Sequence, residues 1–189
     1  MSYTEIVCVI DKSGSMGSVT RDSINGFNEF LKQQQELPGE AKFTLILFDT
    51  NYNIICNGIN IKDAEPLTNK TYVPSGFTAL LDAVGKAIDS VGERLSNSLE
   101  KPSKVIVAIL TDGEENSSKE YSLATIKSKV EHQQNNYSWE FIYLGANQDA
   151  FAEASKLGIK AYNTFNYDID NTMGTYALTM SRAVKSYRN

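Results

Sequence analysis

The 189-residue chain carries 23 acidic and 18 basic residues, has a net charge of −5 at neutral pH, and is 41% apolar. These values are typical of a globular protein, and we expect one folded domain spanning residues 1–189. The acidic balance argues against nucleic acid or an anionic membrane as a partner.

The first residues and the two cysteines indicate a compartment. Residues 2–5 contain no basic segment and lead directly into an apolar run, so a signal peptide is not expected. No stretch of the sequence approaches the roughly 18 apolar residues that a membrane span requires. Cys8 and Cys56 lie inside apolar runs and are expected to be buried free thiols. We therefore expect a cytoplasmic protein.

The first half of the chain alternates apolar runs with amphipathic segments. Residues 6–10 form a continuous apolar run, typical of a strand buried on both faces of a parallel sheet. A segment with apolar residues at helical spacing follows at 24–31. Runs at 43–48 and 52–56 are separated by a short turn, which predicts an antiparallel hairpin. A polar loop then leads to a long amphipathic helix over 81–95.

The second half continues the alternation. A very apolar strand is predicted at 105–110, and a helix over 123–130. Ser117 and Glu120 have the spacing of a capping box ahead of that helix. A further strand is predicted at 139–144.

Shorter elements complete the chain. A helix over 149–157 is expected to end at Gly158, because glycine readily adopts the left-handed conformation at a helix end. A short edge strand is predicted at 159–162 and a last helix over 177–187. The element order predicts an α/β fold: a doubly wound, mostly parallel sheet with one antiparallel edge strand at 52–57 and helices on both faces.

Polar side chains follow two of the predicted strands and precede the long helix. The first strand ends in Asp11, Ser13 and Ser15, the fourth is followed by Asp112, and Thr78 lies just before the helix. Ligands of open α/β sheets bind at the carboxyl ends of the strands, so these side chains are expected to converge. Carboxylate and hydroxyl oxygens are hard ligands, which favour Mg²⁺, with Mn²⁺ or Ca²⁺ as alternatives.

The charge balance of such a site indicates what it would bind. Neutral hydroxyls quench the charge of a cation less than carboxylates do, and the positive end of the helix that begins near Ser18 disfavours a cation further. The balance predicts an electrophilic metal with a position open to an incoming carboxylate.

The same residues resemble a known family. Asp-Lys-Ser-Gly-Ser at 11–15 is similar to the Asp-x-Ser-x-Ser signature of von Willebrand factor A domains, and Thr78 and Asp112 resemble the separate Thr and Asp of their metal ion-dependent adhesion site (MIDAS). The resemblance covers about residues 3–187 and is closest to short intracellular bacterial or phage members. It implies that Ser13, Ser15 and Thr78 contact the metal directly. It also implies that Asp11 and Asp112 act largely through water, and that an acidic side chain of a protein partner completes the coordination.

Each residue also has a structural interpretation. Ser13 or Ser15 could cap the following helix, Thr78 could cap the long helix, and Asp112 could belong to a turn.

Two other functions compete with partner binding: a metal-dependent phosphatase or hydrolase, and a scaffold subunit of a larger assembly, such as one built around an AAA+ ATPase or a stress response. Asp11 at a strand end resembles the nucleophile of the haloacid dehalogenase family, but the motif of that family has a second Asp two residues on, where this chain has Ser13. We therefore expect a protein that is not an enzyme.

The remaining polar and aromatic residues near the site receive structural interpretations. Glu114 and Glu115 are expected to form a solvated acidic rim, and the single histidine, His132, to face solvent. Tyr52, Tyr72 and Phe77 are expected to pack in the core or in loops rather than to contact a partner. The polar cluster at 168–171 breaks calcium-loop spacing and is expected to precede and cap the last helix. The loops at 49–77 and 114–120 are expected to set specificity.

Overall fold

Strands and helices alternate along the chain in the computed structural model, which describes residues 3–146, 149–167 and 172–188. The strands are β1 Thr4–Asp11, β2 Ala41–Phe48, β3 Tyr52–Asn60, β4 Lys104–Thr111, β5 Glu140–Ala146 and β6 Thr164–Tyr167. The α-helices are α1 Thr20–Glu36, α2 Leu80–Asn97, α3 Leu123–Tyr137, α4 Ala150–Lys156 and α5 Thr172–Arg188. Short 3₁₀ helices lie at Gly14–Val19, Ile61–Asp63 and Ala161–Asn163.

The described strands form one sheet in the order β3-β2-β1-β4-β5-β6. Neighbouring strands are parallel except for β2 and β3, which form the predicted hairpin. Asp49 closes the hairpin, because its Oδ1 accepts a hydrogen bond of 2.6 Å from the backbone N–H of Asn51 in an Asx turn. The predicted doubly wound sheet with an antiparallel edge strand is confirmed.

Each buried strand contributes side chains to two separate cores. Ile6, Cys8 and Ile10 of β1 face one core, whereas Val7 and Val9 face the other. All five are essentially inaccessible to solvent. Successive side chains of a strand point to opposite faces, so an unbroken apolar run requires cover on both sides of the sheet.

The helices provide that cover. Phe27 of α1 packs on the first face together with Val184 of α5. On the second face Ile88 of α2, Val130 of α3 and Ala154 of α4 pack together. The apolar residues that predicted these helices are therefore the ones that cover the sheet.

The predicted strand at 159–162 is wrong. Gly158 does end α4, with φ of +78°, but Ile159 then turns into the core and residues 161–163 form a 3₁₀ turn. Pairing with β5 begins only at Thr164, which lies opposite Tyr143. Of the predicted run only Ile159 is buried, whereas Ala161 and Tyr162 are exposed, so the segment does not lie along the sheet edge where a strand could pair.

The predicted capping box at Ser117 and Glu120 is also wrong. Helix α3 is capped by Ser122, whose Oγ accepts a hydrogen bond of 3.2 Å from the N–H of Thr125. Glu120 instead forms an ion pair with Lys86 of α2. The segment 117–121 is held against α2, so the helix can begin only after it.

Several other predictions concern exposure. Cys8 is a buried free thiol and Cys56 a half-buried one, and burial raises the pKa of both. His132 lies on α3, where its Nδ1 is 2.8 Å from the side-chain amide nitrogen of Asn136. Residues 168–171 lie outside the described part of the chain. None of the described helices combines the length and apolar character that crossing a membrane requires.

Candidate functional site

The topology brings the carboxyl ends of β1 and β4 side by side. After β1 the chain adds β2 and β3 on one side, and after β3 it crosses back to add β4 on the other. The loops that leave β1 and β4 therefore diverge, which opens the crevice where α/β sheets bind ligands. Asp11 ends β1, and Asp112 directly follows β4.

Asp11 is a buried carboxylate with both oxygens engaged. Its Oδ1 accepts a hydrogen bond of 2.6 Å from the backbone N–H of Ser13, and its Oδ2 accepts one of 2.7 Å from the hydroxyl of Thr111. Burial raises the pKa of Asp11, and these hydrogen bonds oppose that rise. The side chain thus joins β1 to β4 and orients the loop that carries Ser13.

A chain of polar oxygens runs from that loop to Asp112. The Oγ atoms of Ser13 and Ser15 are 3.1 Å apart, and the Ser15 hydroxyl donates to Asp112 Oδ1 at 2.7 Å. Burial raises the pKa of Asp112. Residues separated by 97 positions in the sequence are therefore in direct contact.

Thr78 is placed beside the same cluster. A Cβ atom built on Gly113 would lie 3.2 Å from Thr78 Oγ1 and 3.7 Å from Ser15 Oγ. Two hydroxyl oxygens thus approach the bare Cα of Gly113, where any side chain would intrude. The backbone of Thr78 is fixed by Asn116, whose Oδ1 accepts its N–H at 2.9 Å. The structure brings all five predicted residues together.

The capping alternatives have no hydrogen bond to support them. Ser13 occupies the N-cap position of the 3₁₀ helix, but its side chain makes no capping hydrogen bond. The N-cap position of α2 is Ala79, not Thr78. The hydroxyls of Ser13 and Thr78 are thus not needed to cap these helices.

Asp49 is a residue of this edge that the sequence prediction missed. It is 1% exposed and forms an ion pair with Lys12, the second residue of the Asp-x-Ser-x-Ser segment. Its Oδ2 also accepts a hydrogen bond of 2.8 Å from the hydroxyl of Ser75. Burial alone would raise the pKa of Asp49, but the hydrogen bonds from Lys12, Asn51 and Ser75 hold it below its ordinary value. The sequence did contain one signal for Asp49: it is an acidic residue directly after a predicted strand.

Two neighbours differ in how well they were predicted. Tyr72 is buried, as expected, and its hydroxyl donates to the backbone oxygen of Asp11 at 2.6 Å. Glu115 is not a solvated rim residue, because its carboxylate accepts the N–H groups of Leu81, Ser117 and Ser118. It satisfies the N-terminus of α2 and so supports the backbone next to Thr78.

Exposure distinguishes two other residues at this edge. Glu114 remains exposed, as expected. Phe77 was expected to be packed, but it is 66% exposed. Its backbone is nevertheless fixed, since its N–H donates to Thr50 Oγ1 at 2.9 Å.

The donor set fits a hard divalent cation. The cluster offers the carboxylates of Asp11 and Asp112 and three hydroxyls, and no thiolate or imidazole is among these side chains. Within the described ranges, no group of three or more His, Cys, Asp and Glu side chains is suited to a metal. A cation here would therefore depend on hydroxyl oxygens, which Mg²⁺ and Mn²⁺ accept and soft metals do not favour.

Solved structures share the fold at low sequence identity. Proximal thread matrix protein 1 of the mussel byssus is 16% identical with a TM-score of 0.67, over 98% of this chain and 46% of that one. The vWF domain of the type V pili tip protein from Porphyromonas gingivalis is 10% identical with a TM-score of 0.69, over 100% and 97%. The manganese-loaded TRAP protein of Plasmodium vivax is 16% identical with a TM-score of 0.65, over 93% and 74%.

The related proteins also differ from this chain in length, include a metal-bound form, and indicate its family. The chain spans about half the length of the mussel protein, which is also known with zinc occupying its MIDAS motif. No curated protein sequence matches the chain. The sequence profile of the von Willebrand factor type A domain matches residues 4–156. Because that match covers most of the chain and the fold agrees, the protein belongs to the von Willebrand factor type A domain family.

Proposed function

We propose that the chain is a metal-dependent protein-binding module that captures an acidic group of a partner protein. The observation that carries the proposal is the continuous set of oxygens from Ser13 through Ser15 to Asp112, with Thr78 beside them. Ser13, Ser15 and Thr78 would hold Mg²⁺ directly, with Mn²⁺ as an alternative. The carboxylates of Asp11 and Asp112 would balance its charge, largely through water. When bound, the cation supplies a Lewis-acidic position to which a partner carboxylate can coordinate.

The side chains around the cluster support binding rather than turnover. Both carboxylate oxygens of Asp11 accept hydrogen bonds, one from Ser13 and one from Thr111, and the side chain is fully buried. Asp11 is therefore poorly placed to act as a nucleophile. The lysine of the signature, Lys12, is paired with Asp49 and mostly buried. The residues of the cluster therefore hold and orient oxygens, which suits a receptor for a carboxylate.

Two further features support parts of the proposal. The metal-bound forms of the mussel and Plasmodium vivax proteins support a divalent cation in this fold. The free thiols of Cys8 and Cys56 support a reducing compartment such as the cytoplasm.

The proposal is tested by measuring metal and partner together. Calorimetric titration with MgCl₂ and MnCl₂ should detect binding to the wild type and not to the Ser13→Ala/Ser15→Ala variant. Affinity purification from the source cell in Mg²⁺ should recover a partner that EDTA releases and that the double variant does not retain. A partner retained equally in EDTA and by the double variant would contradict the proposal.

A further inference from the structure

Asp49 contacts both the loop and the segment that carry the candidate metal ligands. Its Oδ2 forms the ion pair with Lys12 in the loop after β1 and accepts a hydrogen bond of 2.8 Å from the hydroxyl of Ser75. Its backbone oxygen accepts the N–H of Ala79, the residue after Thr78, at 3.0 Å. Asp49 is therefore part of the surroundings of the site, although it is not one of the five candidate ligands.

Backbone hydrogen bonds also join this loop to this segment. The N–H of Ser75 donates to the backbone oxygen of Lys12 at 2.9 Å, and the N–H of Gly14 donates to that of Gly76 at 3.1 Å. These bonds use no side chain, so they hold the loop against the segment whatever residue stands at position 49. The carboxylate of Asp49 is thus not the only group that fixes their relative position.

The side chain of Lys12 is a cation confined beside the proposed metal. Lys12 lies between Asp11 and Ser13 in the sequence, and its side chain is only 12% exposed. The side chain of Asp49, its ion-pair partner, is 2% exposed. When one partner of a buried ion pair is removed, the other keeps an uncompensated charge that little water can screen.

The balance of charges shows what this ion pair contributes. Asp11 and Asp112 give the oxygen cluster two negative charges, which match the charge of a divalent cation. An unpaired Lys12 would reduce that charge to one, and Asp49 restores it. Charges a few ångströms apart interact strongly where solvent screening is limited, so a metal at the cluster would be sensitive to this balance.

We propose that Asp49 is a positioning residue for the metal site, which acts by holding and neutralising the ammonium group of Lys12. This inference rests on the proposed function, since it requires a divalent cation at the oxygen cluster. Without the carboxylate, the flexible four-carbon side chain of Lys12 would repel the cation or pair with the carboxylates that should balance it. Asp49 thus leaves the charge of Asp11 and Asp112 to the metal.

Calorimetric titration with MgCl₂ at pH 8 tests the inference. Asp49→Asn should weaken Mg²⁺ binding about tenfold or more, because it leaves the ammonium group of Lys12 unpaired. Lys12→Met/Asp49→Asn, which removes both charges, should bind Mg²⁺ within about threefold of wild type. The matched control is Glu5→Gln, which breaks the buried ion pair with Arg94 near the start of β1 and should bind Mg²⁺ as wild type does.

Rescue by the second substitution separates this role from a structural one, because removing Lys12 would not restore a contact that Asp49 made. Equal losses in Asp49→Asn and the double variant would overturn this inference. So would an unchanged affinity in Asp49→Asn, or a loss in Glu5→Gln as large as its own. In each case the proposed function would stand, whereas a wild type that binds no Mg²⁺ would overturn both.

A further variant decides the question if circular dichroism shows that Asp49→Asn does not fold. Lys12→Met keeps the charge of Asp49 and removes its cation. It should therefore bind Mg²⁺ at least about threefold more tightly than Lys12→Met/Asp49→Asn, which differs from it only in that charge. Equal affinities of these two variants would overturn the inference.

Discussion

Gly113 is the residue at which the structure makes the sharpest prediction about metal binding. A methyl group there would lie 3.2 Å from Thr78 Oγ1, tighter than ordinary contact, so Gly113→Ala should displace the hydroxyl. We expect Mg²⁺ affinity to fall at least tenfold while the fold is retained, measured by calorimetry and circular dichroism. Gly92→Ala is the control, because a Cβ on Gly92 meets nothing within 4 Å. Unchanged affinity in Gly113→Ala would remove Thr78 from the proposed ligands.

Asp82 should make stability depend on pH. Burial alone would raise the pKa of Asp82, but hydrogen bonds from the N–H groups of Lys119, Tyr121 and Glu120 hold it below its ordinary value. A lowered pKa stabilises the fold above the unfolded-state pKa, near 4, and that contribution is lost as pH falls through the folded-state value.

The Asp82→Asn variant tests this expectation. It should be less stable than wild type by about 1 kcal/mol at pH 7, since the carboxylate is partly exposed. The difference should shrink as pH falls below about 4, because the stabilisation is lost progressively toward the lowered folded-state pKa; urea unfolding at each pH measures it. A difference that stays constant from pH 7 to pH 3 would show that the charge of Asp82 is not what stabilises the loop.

At the scale of elements, α2 contains two glycines with opposite surroundings. A Cβ on Gly85 would lie 2.7 Å from the ring of Tyr121, whereas one on Gly92 would meet open space. Gly85→Ala should therefore destabilise the protein by about 1–3 kcal/mol through overpacking. Gly92→Ala should stabilise it by about 0.5–1 kcal/mol, since alanine favours the helix.

Unfolding in urea measures both changes. If Gly85→Ala stabilised the protein as much as Gly92→Ala does, Tyr121 would not be packed against α2. The loop over 117–121 would then be held by polar contacts, such as the hydrogen bonds to Asp82 and the ion pair between Glu120 and Lys86.

At the scale of the whole molecule, metal binding should appear as stability. A ligand that binds only the folded state stabilises it by RT ln(1 + [L]/Kd), about 2.7 kcal/mol at one hundred times Kd. The melting temperature of the wild type should therefore rise with MgCl₂ and return to its starting value in EDTA. The Ser13→Ala/Ser15→Ala variant should melt at the same temperature in both. An equal rise in the double variant would indicate binding elsewhere.

The sequence predicted most of the architecture because the relevant signals are local. The apolar runs over 6–10 and 105–110 are long enough to require cover on both faces, and each amphipathic helix carries its own periodicity. The predictions failed where an element depends on its neighbours. Ile159 is apolar and buried, but whether the segment 159–162 forms a strand depends on the position of β5, and pairing with β5 begins only at Thr164. Likewise, Ser117 lost its expected capping role because α2 holds the loop that contains it.

The succession of strands and helices along the chain and the residue types that follow the strands were readable from the sequence alone, as were the five candidate ligands and the chemistry of their oxygens. Only the tertiary structure showed that Asp49 pairs with Lys12 and that Glu115 satisfies the start of α2. The reason is physical: periodicity and residue type are properties of a segment. An ion pair or a hydrogen bond between loops joins segments far apart in the chain, whose distance is set only when the sheet assembles.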